Sequence, residues 1–324
     1  MPMDDPVILR KEQPQSRRSP SSRPTGTVGV LLSTIEAMRP KQWTKNLFVF
    51  IALLFTNNIP LSLSDTLRWR MTGLSIMAFV LYCLVSGSVY LMNDVADREQ
   101  DRLHPEKRKR PIASGRLPWR LALVLSVVFG CGGVALSFLI NAPFGLLILG
   151  YYILQIAYTY WLKRVVLLDV FVIAAGFVIR AAAGALAIHV IISVWLLVCT
   201  MQLALFLGFG KRRNELVSLA ENAANHRQIL SEYSVSFLDQ LNAIVLAGLT
   251  VSYALYTIVS DTATMHHLLV ITLPNVMYGI FRYLYLIHIQ HKGGSPEMVL
   301  LEDHPMQVNL LLWVIEVVIA FKLG

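Results

Sequence analysis

Three aspartates and one asparagine follow a long apolar stretch of the chain at regular intervals. Asp94, Asp97 and Asp101 are three and four residues apart, and Asn93 lies four residues before Asp97. If a helix continues through this stretch, the four oxygen-bearing side chains share one face. Three carboxylates this close repel one another unless a cation lies among them. Because Mg²⁺ is commonly held by one or two carboxylates, water and substrate phosphates, this acidic ladder of Asn93, Asp94, Asp97 and Asp101 predicts a magnesium site.

A cluster of basic residues follows the acidic ladder directly. Residues 104–111 read HPEKRKRP and include Lys107, Arg108 and Arg110. Arginine binds phosphate through two donors and lysine acts as a point charge, so this loop suits anionic oxygens. Acids and bases together predict a diphosphate that magnesium bridges to the protein. The alternative is a loop whose charges only set the membrane topology, which explains the bases but not the acids.

The composition places the ladder at the end of a membrane span. The chain has 324 residues, of which 55% are hydrophobic and 15% are charged, whereas soluble domains average about 25% charged residues. A helix needs roughly 20 apolar residues to cross a bilayer, and it satisfies its own backbone hydrogen bonds there. We therefore predict an all-α integral membrane protein with nine transmembrane helices, at residues 46–63, 70–92, 119–140, 143–162, 166–189, 191–209, 237–259, 266–289 and 306–323.

Lysine and arginine set the predicted orientation. When the nine spans alternate, most basic residues fall on one side of the membrane, and only Arg68, Arg70 and Lys322 fall on the other. The positive-inside rule makes the basic side cytoplasmic. This predicts a multi-pass protein of a prokaryotic inner cell membrane with a cytoplasmic N-terminus and active site. The net charge of +8 is explained by this topology, so no nucleic-acid partner is predicted.

Two regions are predicted along the chain. Its beginning is rich in Pro, Ser and Arg and lacks an apolar core, so residues 1–35 are assigned to a disordered basic tail. Residues 36–324 form the nine-helix transmembrane catalytic domain. The cysteines, Cys83, Cys131 and Cys199, all lie within predicted spans, so we expect no disulfide framework.

Two motifs resemble those of a known family. The stretch NDVADREQD at residues 93–101 fits the pattern NDxxDxxxD of the UbiA-type membrane prenyltransferase superfamily. The stretch KRKRPIASG at residues 107–115 resembles the RPIxxG segment that follows it there. The resemblance implies a UbiA-like bundle whose polar cavity faces the cytoplasm, with Mg²⁺ as the cofactor. The three carboxylates of the ladder, Asp94, Asp97 and Asp101, are then the predicted catalytic residues.

The end of the sixth predicted span separates two branches of that family. Members that transfer a prenyl group typically carry a second Asp-rich motif there, whereas this chain reads GKRRNEL at residues 210–216. The chain resembles instead the branch that transfers phosphoribose from 5-phosphoribosyl-1-diphosphate to a polyprenyl phosphate such as decaprenyl phosphate. That resemblance extends to MRPKQWTKNLFVF (38–50), AYTYWLKR (157–164), IRAAAGA (179–185) and SEYSVSFLDQL (231–241). It implies a pentosyltransferase whose partners are phosphoribosyl diphosphate, a polyprenyl phosphate lipid and the membrane.

Such a reaction needs cations for several phosphate groups, because the donor carries a diphosphate and a 5-phosphate and the acceptor has its own phosphate. The predicted phosphate-binding residues are Lys41, Gln42, Lys45, Asn46, Lys107, Arg108, Arg110, Lys163, Lys211 and Arg212. We expect substitution at ribose C1 through an oxocarbenium-like state, with magnesium and the basic loop stabilising the departing diphosphate. Because the lipid phosphate is already mostly ionised at neutral pH, no general base is assigned. His104 is given a structural or phosphate-binding role.

Two other functions stay open. A prenyltransferase that acts on an aromatic or glycerol-phosphate acceptor would share the fold and the first motif, and the basic end of the sixth span argues against it. A transporter or scaffold would show internal repeats or helices broken near the middle of the membrane, whereas the charged residues here cluster at one face. The sequence leaves open whether the chain forms a homo-oligomer and how long the lipid is.

Arg180 is a charge inside the fifth predicted span, where charges are costly and often functional. Asp169 lies eleven residues earlier, which is too far along a helix axis for a direct pair unless the helix is broken. Two interpretations of Arg180 stay open: it reaches the polar cavity, or it bonds carbonyls of a neighbouring helix.

Overall fold

Helices make up the fold, and no strand occurs in the residues that the structure describes. The computed structural model describes residues 26–54, 66–220, 228–290 and 302–323. The α-helices are α1 (Thr27–Ala37), α2 (Ile51–Leu54), α3 (Thr66–Ala96), α4 (Arg98–Leu103), α5 (Trp119–Ser137), α6 (Ala142–Tyr160), α7 (Leu168–Ala187), α8 (Val194–Ala220), α9 (Val235–Val259), α10 (Asp261–Met265), α11 (Leu273–His288) and α12 (His304–Leu323). The 3₁₀ helices are Pro40–Phe50, Lys107–Lys109, Leu162–Arg164, Gln228–Glu232 and His267–Thr272. The prediction of an all-α protein is confirmed.

Eight helices in the described part of the chain are long and apolar enough to cross a membrane. They are α3, α5, α6, α7, most of α8, α9, the stretch His267–His288 that ends with α11, and α12. These eight match the second to ninth predicted spans, so the multi-pass architecture is confirmed. The first predicted span, residues 46–63, begins in the 3₁₀ helix Pro40–Phe50 and α2, and its residues 55–63 lie outside the described residues. A ninth transmembrane helix therefore stays a prediction.

The helix α1 occupies part of the predicted disordered tail. Thr27–Ala37 is helical, so the prediction of disorder is wrong for residues 27–35, while residues 1–25 lie outside the described residues. Burial explains this order, because Ala37 packs with Leu91 of α3 and Ile112 of the loop after α4 in one apolar cluster. The cluster holds α1 beside the segment that follows the acidic ladder.

The 3₁₀ helix Pro40–Phe50 is unusually long for its type and packs against α3 and α7. Arg39, just before it, has a left-handed backbone (φ 56°, ψ 65°), which redirects the chain after α1. A Cβ built on Gly184 of α7 would lie 1.8 Å from the carbonyl oxygen of Val49. Only a residue without a Cβ therefore permits this close approach of α7 to the 3₁₀ helix.

Replacing Gly184 with alanine is expected to destabilise the protein by about 1–3 kcal/mol, because the added methyl group overlaps backbone atoms that cannot rotate away. Gly132→Ala on α5 is the matched control, since a Cβ there meets no atom within 4 Å. The control is expected to unfold no earlier than the wild type, because alanine favours helix over glycine. Thermal unfolding in detergent is the measurement, and equal melting temperatures for the two variants would contradict the close approach.

Apolar clusters join the membrane spans in two groups. The first group brings α3, α6 and α7 together around the buried side chains of Tyr82 and Ile148. The second joins α8, α9, α11 and α12 around Phe206 and Leu286. A third cluster, which includes Val170, links α7 to α8 and α9. The packing thus fixes the ends of α3, α6, α7 and α8 that carry the candidate site.

Candidate active site

The acidic ladder lies where α3 passes into α4. Asp94 is in the last turn of α3, Asp97 lies at the turn between the helices, and Asp101 is in α4. The backbone N–H of Asp97 donates to the carbonyl of Asn93, and that of Asp101 donates to the carbonyl of Asp97, both at 2.9 Å. The helical hydrogen-bond pattern therefore continues through the turn, as the spacing of the ladder predicts.

Asp94 and Asp101 form the buried half of the ladder. They are 2% and 4% exposed, and Arg110 joins them, because its Nη1 donates to Asp94 Oδ1 at 3.2 Å and to Asp101 Oδ2 at 2.7 Å. Arg39 donates to the same oxygen of Asp94, and its guanidinium lies over the ring of Tyr90, 5.0 Å from the centroid. Two arginines thus compensate two carboxylates whose burial would otherwise be very unfavourable.

Asp97 and Asn93 form the more open half of the ladder. The side chain of Asp97 is 27% exposed. Lys163 Nζ lies 2.6 Å from Asp97 Oδ1 and 3.5 Å from Asn93 Oδ1. Lys163 belongs to the short 3₁₀ helix Leu162–Arg164 that follows α6. The structure therefore brings Lys163, a predicted phosphate-binding residue, into direct contact with the predicted metal ligands.

The oxygens of this open half fit a divalent cation. The ammonium of Lys163 lies beside one carboxylate and one amide oxygen, and oxygen donors of this kind suit Mg²⁺, which fills its remaining positions with water and phosphate. The three carboxylates do not form one metal-binding group. Within the residues described, no three or more acidic, histidine or cysteine side chains do so. The predicted four-residue site is divided because arginines face Asp94 and Asp101, and metal ligation stays a proposal.

The loop after α4 is held by contacts outside the ladder. Arg116 forms a two-pronged ion pair with Glu36 of α1, at 2.6 and 2.7 Å, and this hydrogen bonding raises the pKa of Arg116. His104 Nδ1 accepts the backbone N–H groups of Glu106 and Lys107 at 3.2 and 3.4 Å. These bonds favour the structural role for His104. Hydrogen bonds within the loop and an ion pair to α1 therefore help to fix the conformation of this segment.

The basic end of α8 makes ion pairs that the sequence did not predict. Arg212 is 4% exposed, and it donates to Asp169 of α7 at 2.8 Å and to Glu215 at 2.7 Å. Arg213 donates to Asp239 of α9 at 2.6 Å. We therefore correct the predicted role of Arg212 from phosphate binding to an ion pair that joins α7 and α8, because its guanidinium is enclosed with two carboxylates.

Tyr233 completes this ion pair from the segment before α9. Its hydroxyl donates to Asp169 Oδ1 at 2.8 Å and accepts the backbone N–H of Leu167 at 2.7 Å. Burial and the hydrogen bond to Asp169 raise the pKa of Tyr233 to about 12. Leu167 has a left-handed backbone (φ 68°), which is unfavourable for a residue with a branched side chain. The bonds to Asp169 and Leu167 thus fix the beginning of α7.

Arg180 lies among aromatic rings inside the bundle. It donates to Asn46 Oδ1 at 2.8 Å, to the carbonyl of Gly176 at 2.8 Å and to the hydroxyl of Tyr151 at 3.0 Å, and the ring of Tyr82 faces it at 5.1 Å. The carbonyl belongs to its own helix, so the interpretation that Arg180 bonds carbonyls of a neighbouring helix is wrong. That Arg180 reaches the polar cavity stays a prediction. Asn46 is 1% exposed. Its predicted role in binding phosphate is corrected to a bond that ties the 3₁₀ helix Pro40–Phe50 to α7.

The other predicted phosphate-binding residues lie at more accessible positions. The exposed ones are Lys41, Arg108 and Lys211, and the partly buried ones are Gln42, Lys45 and Lys107. Three of them belong to the 3₁₀ helix that begins directly after Arg39, and two belong to the loop that carries Arg110. These five therefore belong to the two segments that also carry Arg39 and Arg110, whereas Lys211 lies in α8 beside Arg212.

Sequence reasoning missed three residues of this region, namely Arg39, Tyr233 and the role of Asp169. Arg39 did carry a local signal, because Pro40 follows it and a residue before proline tends to leave the helix. The pairing of Asp169 with Arg212 carried no local signal, since the two residues are 43 positions apart in the chain.

Comparison with known sequences gives one family. The sequence profile of the UbiA prenyltransferase family matches residues 47–300. The chain is 32% identical over 291 residues to the decaprenyl-phosphate phosphoribosyltransferase of Mycolicibacterium smegmatis, covering 86% of this chain and 89% of that one. It is 30% identical over 298 residues to the protein of the same name from Mycobacterium tuberculosis, covering 91% and 96%. The chain therefore belongs to the UbiA prenyltransferase family.

Comparison with solved structures gives the same fold. A UbiA homolog from Archaeoglobus fulgidus, solved with GPP and Mg²⁺ bound, matches with a TM-score of 0.65 at 17% identity, covering 90% of this chain and 100% of that one. The same homolog with Cd²⁺ bound matches with a TM-score of 0.63. The fold is therefore that of the UbiA bundle. Together, the fold and the similar sequences identify the chain as a multi-pass membrane transferase of the UbiA superfamily.

Proposed function

We propose that the chain transfers 5-phosphoribose from 5-phosphoribosyl-1-diphosphate to a polyprenyl phosphate of the decaprenyl type and releases diphosphate. Relatives that match most of the chain are named for this activity. The diphosphate of the donor would bind at the acidic ladder, and the lipid chain of the acceptor would stay among the membrane spans.

The observation that carries this proposal is the charge at the end of α8. Three carboxylates near that end have an arginine partner: Asp169 and Glu215 pair with Arg212, and Asp239 pairs with Arg213. Carboxylates that are already paired with arginine do not provide a second metal site. The arrangement suits a reaction with a single metal-bound diphosphate, as a soluble sugar donor requires.

The proposed reaction is a substitution at C1 of ribose. The bond from C1 to the diphosphate oxygen breaks, its electron pair leaves with the diphosphate, and a bond forms from C1 to an oxygen of the acceptor phosphate. Positive charge develops at C1 and negative charge on the leaving oxygen, so cations directed at the diphosphate lower the barrier. Lys163 and Arg110, which contact the carboxylates of the ladder, are the cations that would stabilise the leaving diphosphate. The acceptor phosphate is ionised at neutral pH, so the protein need not remove a proton.

Magnesium at the ladder would neutralise charge on the leaving diphosphate. Asn93 and Asp97 are the residues that would hold it, because their oxygens are the more open ones. Lys163 would then release Asp97, which frees its ammonium for diphosphate oxygens as a mobile point charge. The arginines of the buried half would keep their places beside Asp94 and Asp101.

We also propose that the site faces the cytoplasm of a prokaryotic cell. The support is the excess of Lys and Arg in the loops on the ladder side, which the positive-inside rule assigns to the cytoplasm. The donor is a soluble, highly charged sugar, so a site on the cytoplasmic side would be reached directly from solution.

Purified protein in detergent with Mg²⁺, radiolabelled phosphoribosyl diphosphate and a short polyprenyl phosphate tests the proposal. The expected product is lipid-linked phosphoribose. Parallel reactions contain a prenyl diphosphate with hydroxybenzoate or glycerol phosphate as the acceptor. A prenylated acceptor, together with no lipid-linked phosphoribose, would replace the proposal with prenyl transfer.

Removal of divalent metal is expected to slow the transfer by roughly 10³-fold, because a bound metal contributes several kcal/mol of charge stabilisation to the transition state. Initial rates with EDTA, and then with excess Mg²⁺ added back, measure this effect. Calcium is the control cation, since it prefers longer bonds and more ligands than magnesium and should restore little activity. Full activity in EDTA would exclude a metal from the mechanism.

A further inference from the structure

The helix α1 distributes its side chains in the opposite way to a surface helix of a soluble protein. Its small polar side chains, Ser33 and Thr34, are buried against the bundle together with Ala37. Its large aliphatic side chains are between 42% and 71% exposed, and we call these four the outer stripe: Val28, Leu31, Leu32 and Ile35. A helix at a water surface buries its apolar face, so water is not the medium that suits the outer stripe.

The outer stripe is a continuous surface that faces away from the protein. Its members occupy positions i, i+3, i+4 and i+7, which share one face of an α-helix. The opposite face is attached to the bundle along the helix, because both Val30 and Ala37 belong to the apolar cluster that contains Leu91 of α3. Packing on one side of α1 therefore gives the stripe on its other side a defined orientation.

The neighbours of α1 place it at the end of the membrane spans. Its apolar cluster includes Ala122 of α5, which follows Trp119 by three residues, or about 5 Å along the helix axis. The guanidinium groups of Arg98 and Arg120 lie over the ring of Trp119, each 5.5 Å from its centroid. Tryptophan beside arginine is typical of the boundary between lipid headgroups and acyl chains. α1 therefore packs on α5 close to the level of that boundary.

We propose that α1 docks on the lipid surface at the ladder side of the membrane, with the outer stripe inserted just below the headgroups. With 11 residues, α1 is too short to cross a bilayer, and its exposed apolar face is that of an interfacial helix. The stripe is as exposed as the apolar side chains of the neighbouring span α5, where Val124, Val127 and Val128 are 51–58% exposed. Lipid would cover both surfaces.

A lipid surface suits the stripe better than a second copy of the chain does. Four aliphatic side chains supply less than the about 800 Å² that each partner buries in a standard protein interface. The sequence directly before α1 carries Arg17, Arg18 and Arg23, which complement the anionic headgroups of a cytoplasmic leaflet. Glu36, the acidic residue of α1, is paired with Arg116, and this pairing limits its repulsion by the same headgroups.

Spin labels on the full-length protein, in nanodiscs of phosphatidylcholine and phosphatidylglycerol, test the docking. Each label is attached to one introduced cysteine in a Cys131→Ser background, because Cys131 is the exposed one of the three cysteines. Leu32→Cys probes the outer stripe. Val128→Cys on the exposed face of α5 is the lipid control, and Lys109→Cys at an exposed position of the basic loop is the water control.

Power saturation compares two relaxing reagents, O₂, which concentrates in lipid, and a nickel chelate, which stays in water. At Leu32 we expect O₂ to have the larger effect, as at Val128, whereas the nickel chelate should have the larger effect at Lys109. A cysteine scan of residues 27–36 should give maxima of the O₂ effect at the four stripe positions, because they share one face of the helix.

Two results of this measurement would overturn the proposal. A larger effect of the nickel chelate at Leu32 would show that the stripe lies in water. Low access of both reagents would show that protein covers the stripe, and spin–spin broadening between labels would identify that protein as a second copy of the chain. Leu31→Cys decides the question if the Leu32→Cys protein does not fold.

Leu32→Lys and Leu32→Glu form a matched pair for a second test. In nanodiscs that contain phosphatidylglycerol, the lysine can extend to the anionic headgroups, whereas the glutamate is repelled by them. We therefore expect a lower melting temperature for Leu32→Glu than for Leu32→Lys in these nanodiscs, and a smaller difference in nanodiscs of phosphatidylcholine alone. Equal melting temperatures in the anionic nanodiscs would contradict docking on the lipid surface.

Discussion

Replacing Asp97 with asparagine is expected to reduce phosphoribosyl transfer by roughly 10³-fold, the effect of removing a main electrostatic contribution to a transition state. The substitution keeps the size of the side chain but removes the charge that faces Lys163 at 2.6 Å and that would hold the metal. Initial rates at saturating donor measure the effect. Because Asp97 is partly exposed, the melting temperature is expected to change little, which separates loss of chemistry from loss of fold.

Glu99→Gln is the control for this prediction. Glu99 lies two residues further along, on the solvent side of α4, and a hydrogen bond from Arg98 lowers its pKa, so it is charged at neutral pH. Its ion pairs with Arg98 and Arg102 are exposed, and such pairs contribute little. The control should transfer at the wild-type rate. An Asp97→Asn variant that kept more than a tenth of the wild-type rate would remove the open half of the ladder from the mechanism.

The membrane spans were predictable because the length and the apolar composition of a segment determine whether it crosses a membrane as a helix. A run of about 20 apolar residues has few alternatives to a membrane helix, and eight such runs are helices in the part of the chain that the structure describes. The ladder was predictable for a similar reason, since its spacing is local and helical. α1 was missed because its sequence neighbours are polar, and its order depends on packing of Ala37 against Leu91, which is distant in the chain.

The partners of the ladder were harder to predict, because no local pattern specifies them. Arg39 reaches Asp94 across 55 positions, and Lys163 reaches Asp97 across 66. The basic residues after the ladder suggested cations for phosphate, but the structure uses Arg110 first to compensate buried carboxylates. A cation in a sequence can therefore serve the fold, the substrate or both, and only the burial of its partner distinguishes these roles.

The role of the basic residues in α8 was also ambiguous from the sequence, and here the structure favours a role in the fold. The sequence presents Lys211, Arg212 and Arg213 as a group of free cations, with Glu215 as the only acid near them. Folding brings Asp169 and Asp239 from α7 and α9, and each is bound by one of the arginines. The two arginines therefore contribute mainly to helix packing, although the basic character of this stretch still argues against a second acidic metal site.

Arg212→Met is expected to lower the free energy of unfolding by about 3–5 kcal/mol, because it leaves a buried carboxylate without its partner. Asp169 is 1% exposed, and after the substitution its remaining side-chain bond is the one from Tyr233. Denaturant unfolding in detergent measures the loss. Glu99→Gln is the control, since its pairs with Arg98 and Arg102 are exposed and should contribute less than about 1 kcal/mol.

A double variant then distinguishes a structural ion pair from a substrate site at Arg212. Asp169→Asn combined with Arg212→Met should recover part of the lost stability, because no unpaired charge remains buried. If Arg212 bound phosphate instead, Arg212→Met would weaken donor or acceptor binding while leaving stability nearly unchanged, and Asp169→Asn would not compensate. If the double variant regains stability and its KM is close to that of the wild type, the role of Arg212 is structural. A raised KM without a loss of stability would instead show that Arg212 binds phosphate.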